Sequence, residues 1–160
     1  MTPNLKIRAA TPEDSESISK LVWRLSAEYI VEEFSQQGKA TLFESMTPAA
    51  IRKYIQSGYR YHVAEVKKQL VGVVAVKDNS HLYHLFVAQD YQRQGIASSL
   101  WHLAKQVCLE HGNPGEFTVN SSTYAQDVYK SLGFVAQSGP QDKNGVIFIP
   151  MKLETYSETP

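Results

Sequence analysis

His84-Leu85-Phe86-Val87, then Ala88-Gln89-Asp90, then Tyr91-Gln92-Arg93-Gln94-Gly95-Ile96-Ala97-Ser98 is the most informative run in this chain. The first four residues read as the end of a strand that begins at His81. Beyond Gly95, Ile96, Leu100, Leu103, Ala104 and Val107 recur at three-and-four spacing, which predicts a helix over residues 95–111. A strand therefore feeds a tight turn that opens a helix. The first N–H groups of a helix are unpaired and carry partial positive charge, so this arrangement suits a phosphate. Gly95 and Ala97 would let a pyrophosphate approach the backbone closely. Taken alone, the glycine serves equally well as a steric necessity of the turn. Its place between a strand and an amphipathic helix favours the phosphate reading.

Working outward, Tyr59–Val66 and Leu70–Lys77 are β-rich and separated by Lys67-Lys68-Gln69, which predicts a hairpin before the strand His81–Val87. Upstream, residues 5–10 read as a strand and Thr11-Pro12-Glu13-Asp14 as a helix start. Ile18, Leu21, Val22, Leu25 and Tyr29 continue that helix on one face. Residues 34–46 have no clear period and are expected to be a mobile loop, followed by a short helix over 47–56 with Pro48 at its start. Downstream, Gly112-Asn113-Pro114-Gly115 ends the long helix. Phe117–Asn120 is a strand, Ala125–Leu132 a short helix ending at Gly133, and residues 134–137 and 146–153 two last strands joined through Asn144-Gly145. This order predicts one α/β domain over residues 1–160, a mixed (α+β) sheet with helices on both faces.

Composition excludes several classes. Sixteen basic and sixteen acidic side chains cancel, which argues against a nucleic-acid or acidic-membrane partner. The longest apolar stretch, Leu70 to Val76, has seven residues, enough for a buried strand and too few to span a bilayer. The opening Met1-Thr2-Pro3-Asn4-Leu5-Lys6 lacks a signal-peptide core. The single cysteine, Cys108, cannot form an internal disulfide, and a reducing, cytoplasmic setting is expected. It reads as a packing residue, since no His/Asp pattern accompanies it. Trp23 and Trp101 read as core or helix-interface residues. Five histidines show no metal-ligand spacing, and no metal is expected.

Four blocks, in order and at matching spacings, resemble the GNAT superfamily of N-acetyltransferases. They are Arg8 to Asp14, Val63-Ala64-Glu65 through Leu70-Val71-Gly72, Leu85 through Ala97, and Val119 through Phe134. The family usually has a second glycine where this chain has Ala97. The resemblance implies a central, twisted, mostly antiparallel sheet of about seven strands flanked by about four helices. It implies acetyl-CoA as cosubstrate, held by Leu85, Phe86 and Val87 and by Gln92, Arg93, Gln94, Gly95, Ile96, Ala97 and Ser98. Asn120 and Ser122 have two readings: they hold the cofactor's amides, or they cap the helix that follows.

The reaction such a site must perform is demanding. Reaching the neutral form of an alkylamine of pKa near 10.4 costs about 4–5 kcal/mol at pH 7. A base, a desolvating pocket or both offset that cost. The resemblance implies that a main-chain N–H near Val87 polarises the thioester carbonyl and that Tyr129 protonates the departing sulfur. One family position for a glutamate base, fourteen residues before Gly95, is His81; the other, twelve before Tyr129, is Phe117. His81 is therefore the candidate base, with His84, expected on the opposite face of the strand, as the alternative. Both also read as ordinary strand residues. Glu28, Glu32 and Glu33 read either as attractors of a cationic substrate or as a solvated helix face. The acceptor groove is expected between Tyr29–Met46 and Ser138–Gly145.

The leading function is acetyl transfer from acetyl-CoA to a primary amine of a small molecule or peptide, by direct attack in a ternary complex, in a monomer or homodimer. A sensor that binds acetyl-CoA without transferring it is the alternative. An unrelated nucleotide-binding α/β domain is opposed by the lack of a GxGxxG turn and a GKS/T loop.

Overall fold

The computed structural model describes residues 3–155. Met1 and Thr2, part of the opening expected to lack a leader, lie outside the described residues, as do residues 156–160. The strands are β1 (Leu5–Ala9), β2 (Arg60–Val66), β3 (Gln69–Lys77), β4 (His81–Val87), β5 (Glu116–Ser121), β6 (Val135–Ala136), β7 (Gln141–Lys143) and β8 (Val146–Glu154). The helices are α1 (Ser15–Tyr29), α2 (Gln36–Glu44), α3 (Pro48–Gln56), α4 (Ile96–Glu110) and α5 (Gln126–Ser131). Strand order is β1-β2-β3-β4-β5-β8-β6, with β7 paired to the start of β8. Every pairing is antiparallel except β4 with β5.

β3 lies at the centre. Val71 through Val76 are all buried, as a strand covered on both faces requires. α4 covers one face: a Cβ on Gly72 would sit 3.0 Å from Leu100 and 3.4 Å from Ile96. α1 packs on the other face, with α3 against it. Trp101 of α4 meets Phe117 of β5 edge-on at 5.2 Å and Phe134 at 5.5 Å. Cys108 is buried in this layer, in agreement with the packing role. Trp23 is 40% exposed and stacks on Phe43 at 4.5 Å, a helix-interface residue of α1 and α2.

The structure corrects three expectations. Residues 34–46 are not a loop, because most of them form α2. The Ser35 hydroxyl caps it by accepting the Gly38 N–H at 3.0 Å. Only Gly38 of this helix is buried, so no apolar stripe announces it. β7 is a strand the sequence reading lacks, and all three of its residues are exposed. The last correction concerns β4. Val76 pairs with Leu82 while Ala75 pairs with His84, leaving Tyr83 as an extra residue in a β-bulge. The bulge resets the alternation, so His81 and His84, opposite Lys77 and Ala75, share a face instead of opposing each other.

Candidate functional site: a cleft between two parting strands

β4 and β5 are paired only at His81–Thr118 and Leu82–Val119. Beyond the bulge at Tyr83 they part, and the gap belongs to a cleft of about 930 Å³. The ladder on the other side of β4 fixes what faces this gap. Ala88 donates its N–H to the Val71 carbonyl at 2.8 Å, so Ala88 and Val71 form a hydrogen-bonded pair. Alternation makes Val87–Gly72 and Leu85–Val74 non-hydrogen-bonded pairs. The main-chain N–H and C=O of Leu85 and Val87 therefore point away from β3, toward the gap. The Val87 carbonyl accepts the Gln92 side-chain amide at 3.0 Å, which ties the turn to the end of β4.

Past the strand, Arg93 (φ 63°) and Gly95 (φ 83°) both take left-handed conformations. A Cβ at Gly95 would meet no protein atom within 4 Å, so the glycine meets the demand of φ while the space beyond it stays open. The first intrahelical bond of α4 runs from Ser99 N–H to the Gly95 carbonyl. The N–H groups of Ile96, Ala97 and Ser98 precede it, and all three residues line the cleft. Open space, turned-out amides and a helix N-terminus fit a phosphate-bearing arm running from α4 into the β4–β5 gap.

The structure brings the expected residues together on this cleft, with distinctions among them. Leu85, Phe86, Val87, Gln92, Arg93, Gly95, Ile96, Ala97, Ser98, Asn120, Ser122, His81 and Tyr129 all line it; Gln94 does not. The Ser122 hydroxyl accepts the Ala125 N–H at 3.1 Å, which closes the turn before α5, whose own N-cap is Ala125, and the exposed Asn120 side chain is open to the cleft. Tyr129 is held by α5 against Phe134, edge-on at 5.9 Å, and burial pushes its phenol above the ordinary tyrosine value. Phe117 points into the core, wholly buried.

The two histidines have different surroundings. His81 Nδ1 lies 2.7 Å from the Thr118 hydroxyl. Desolvation and then the charge of Lys77, opposed by Asp78, pull its pKa below the usual histidine value. His84 is 4% exposed, with Nδ1 3.3 Å from the Tyr61 hydroxyl, and burial pushes its pKa down to about 3. Both imidazoles are therefore neutral at pH 7.

Tyr29, Phe34, Leu42 and Met46, with others between them, line the far wall; of the expected Ser138–Gly145 segment only Lys143 and Asn144 do, and the start of β8 (Val146, Ile147, Phe148) joins them. Tyr29 stacks on Tyr124 at 4.7 Å, and the Thr123 hydroxyl donates to Glu33 at 2.5 Å. Tyr83 and Tyr124 were not singled out from sequence. The bulge that aims Tyr83 depends on how β4 settles against β3, and the stack that sets Tyr124 depends on Tyr29, distant in the chain. Glu28, Glu32 and Glu33 do not line the cleft. Among the described residues no group of three His, Cys, Asp or Glu side chains could hold a metal ion, and no helix is long and apolar enough to cross a membrane.

The sheet thus opens between its two parallel strands, and the long helix α4 starts at the opening. The Acetyltransferase (GNAT) domain model matches residues 30–155, and the chain belongs to this family as an acyl-CoA-dependent acetyltransferase. Its fold is similar to that of a GCN5-related N-acetyltransferase from Rhodopseudomonas palustris, at 21% identity and TM-score 0.78, covering 97% of this chain and 98% of that one. It is also similar to the PaiA N-acetyltransferase from Thermoplasma acidophilum, solved in complex with coenzyme A, at 18% identity and TM-score 0.75, covering 97% and 100%. The apo form of YjaB from Escherichia coli matches at 21% identity and TM-score 0.66, covering 96% and 97%. A search of curated proteins found no match.

Proposed function

We propose that the protein transfers an acetyl group from acetyl-CoA to a primary amine by direct attack within a ternary complex, acting as one domain, as a monomer or homodimer. The observation that carries this reading is the β4–β5 gap, which joins the N-terminus of α4 to a cleft holding Tyr129 and His81. In this reading the amides of Ile96, Ala97 and Ser98 hold the pyrophosphate, while the turned-out backbone of Leu85 and Val87 takes the place of a missing strand for the pantetheine amides. Asn120 adds a side-chain contact. The Val87 N–H polarises the thioester carbonyl as negative charge develops on its oxygen. Tyr129, still protonated at neutral pH, gives its proton to the departing sulfur. His81 accepts the proton that the amine loses, directly or through a water. Cys108 is buried and does not line the cleft, which favours direct attack over an acyl-cysteine.

Initial rates measured against both substrates test the order of events. Intersecting lines are expected, and parallel lines would replace the ternary complex with a covalent intermediate. Tyr129→Phe keeps the ring and removes the proton donor. Turnover should fall by about 10²–10⁴ with acetyl-CoA affinity little changed. Near-normal turnover, under conditions where chemistry limits the rate, would remove Tyr129 from this role. Acetyl-CoA binding without transfer to any amine would make the chain a sensor.

A further inference from the structure

The acceptor half of the cleft has a composition that the transfer chemistry does not require. Tyr29, Phe34, Leu42, Tyr83, Tyr124 and Phe148 supply its walls. Among the described residues no aspartate or glutamate lines the cleft, and the only charged side chains that do are Arg93 and Lys143. Glu33, beside Phe34 in the chain, accepts the Thr123 hydroxyl instead.

These walls discriminate between amines that share a pKa. Every alkylamine must lose one proton before attack, and that cost is common to all of them. A polyamine or a lysine-rich peptide brings further ammonium groups that stay charged at pH 7. Placing them against these walls removes their water without supplying a carboxylate counter-charge; cation–π attraction offsets only part of that cost, and Lys143 adds like-charge repulsion. A single amine on an apolar or aromatic body meets none of these penalties and gains from burying that body.

We propose that the acceptor is a monoamine borne on an apolar or aromatic body, and that the cleft selects against polycationic amines. This rests on the acetyl transfer proposed above. Lys143, exposed at the β7–β8 turn, is a selectivity residue that repels a second positive charge.

The test measures kcat/KM at fixed pH for 2-phenylethylamine, tryptamine, hexylamine, spermidine and a lysine-rich peptide. Thiol release is followed and products are identified by mass spectrometry. The first three should exceed spermidine and the peptide by at least about tenfold. Lys143→Glu should narrow that ratio by raising the rate with spermidine. Faster acetylation of spermidine or the peptide overturns the selectivity while leaving acetyl transfer intact, and so does a Lys143→Glu enzyme whose ratio is unchanged. Acetyl-CoA binding with no amine of the panel acetylated overturns both the selectivity and the transfer.

Discussion

His81 and His84 share a strand and a face, yet the packing around them assigns them different chemistry. His81 sits where β4 and β5 are about to part, bonded to Thr118 and lining the cleft. As the proposed base it must be neutral, so kcat/KM should fall as pH drops through its pKa, which lies below the usual value near 6.5. His81→Ala should abolish that lower limb and keep the upper one, which belongs to the amine. A full wild-type profile in His81→Ala would make the residue structural. His84 is enclosed and titrates near 3 in the folded protein, against about 6.5 unfolded. Because its folded pKa is depressed, its contribution to stability is complete above about pH 6.5 and declines as pH falls toward 3. Between pH 7 and pH 5 the loss is about 2 kcal/mol, or about 4–8 °C in Tm for a domain of this size. His84→Gln should flatten that part of the Tm–pH curve, and an equally steep decline in both proteins would place the linkage elsewhere. Sequence spacing brought out both histidines. The bulge at Tyr83, which decides the face they share, has no sequence marker because it arises from how β3 and β4 settle against each other.

At the scale of elements, α4 and the turn before it were legible, since glycine and an apolar stripe mark them in the chain itself. α2 was not, because tertiary contact holds it in place of an apolar face of its own. A Cβ on Gly38 would clash with the backbone carbonyl of Gly145, so α2 lies directly on the β7–β8 turn. Ser35 N–H also donates to that carbonyl at 3.3 Å. A glycine inside a helix costs about 1 kcal/mol of helix propensity relative to alanine, and here it permits backbone to meet backbone. Gly38→Ala should therefore be destabilising in spite of the better propensity, by about 1–3 kcal/mol from overpacking. It should also raise KM for the amine more than KM for acetyl-CoA, because the displaced turn belongs to the wall proposed to hold the acceptor. A higher Tm together with unchanged KM values would show that the contact relaxes freely. Ser122 teaches a related lesson. The sequence offers cofactor contact or a helix cap; its hydroxyl closes the turn before α5 by accepting Ala125 N–H, the N-cap itself is Ala125, and Ser122 also lines the cleft.

Across the whole molecule, the sheet must be closed on one side and open on the other at the β4–β5 junction. Phe117, wholly buried against Trp101, holds β5 to α4 just before the strands part. Phe117→Ala should cost about 3–5 kcal/mol, which for this chain length lowers Tm by about 6–20 °C. Thermal melts check it, and a shift of only a degree or two would mean that the aromatic cluster repacks around the void. By itself, the sequence determined the hairpin, the strand–turn–helix around Gly95, the order of the elements other than α2 and β7, and the residue types gathered along the cleft. Periodicity, caps and glycines are local signals and mark the elements, while the family entered through the resemblance of four sequence blocks in order. Only the tertiary structure decided that β4 bulges at Tyr83 and leaves β5 after two residue pairs, that α2 rests on Gly145, and that no described carboxylate lines the cleft. Those features follow from how strands and helices settle against one another, in most cases between residues tens of positions apart, where steric fit and desolvation act across the fold and leave no pattern along the chain.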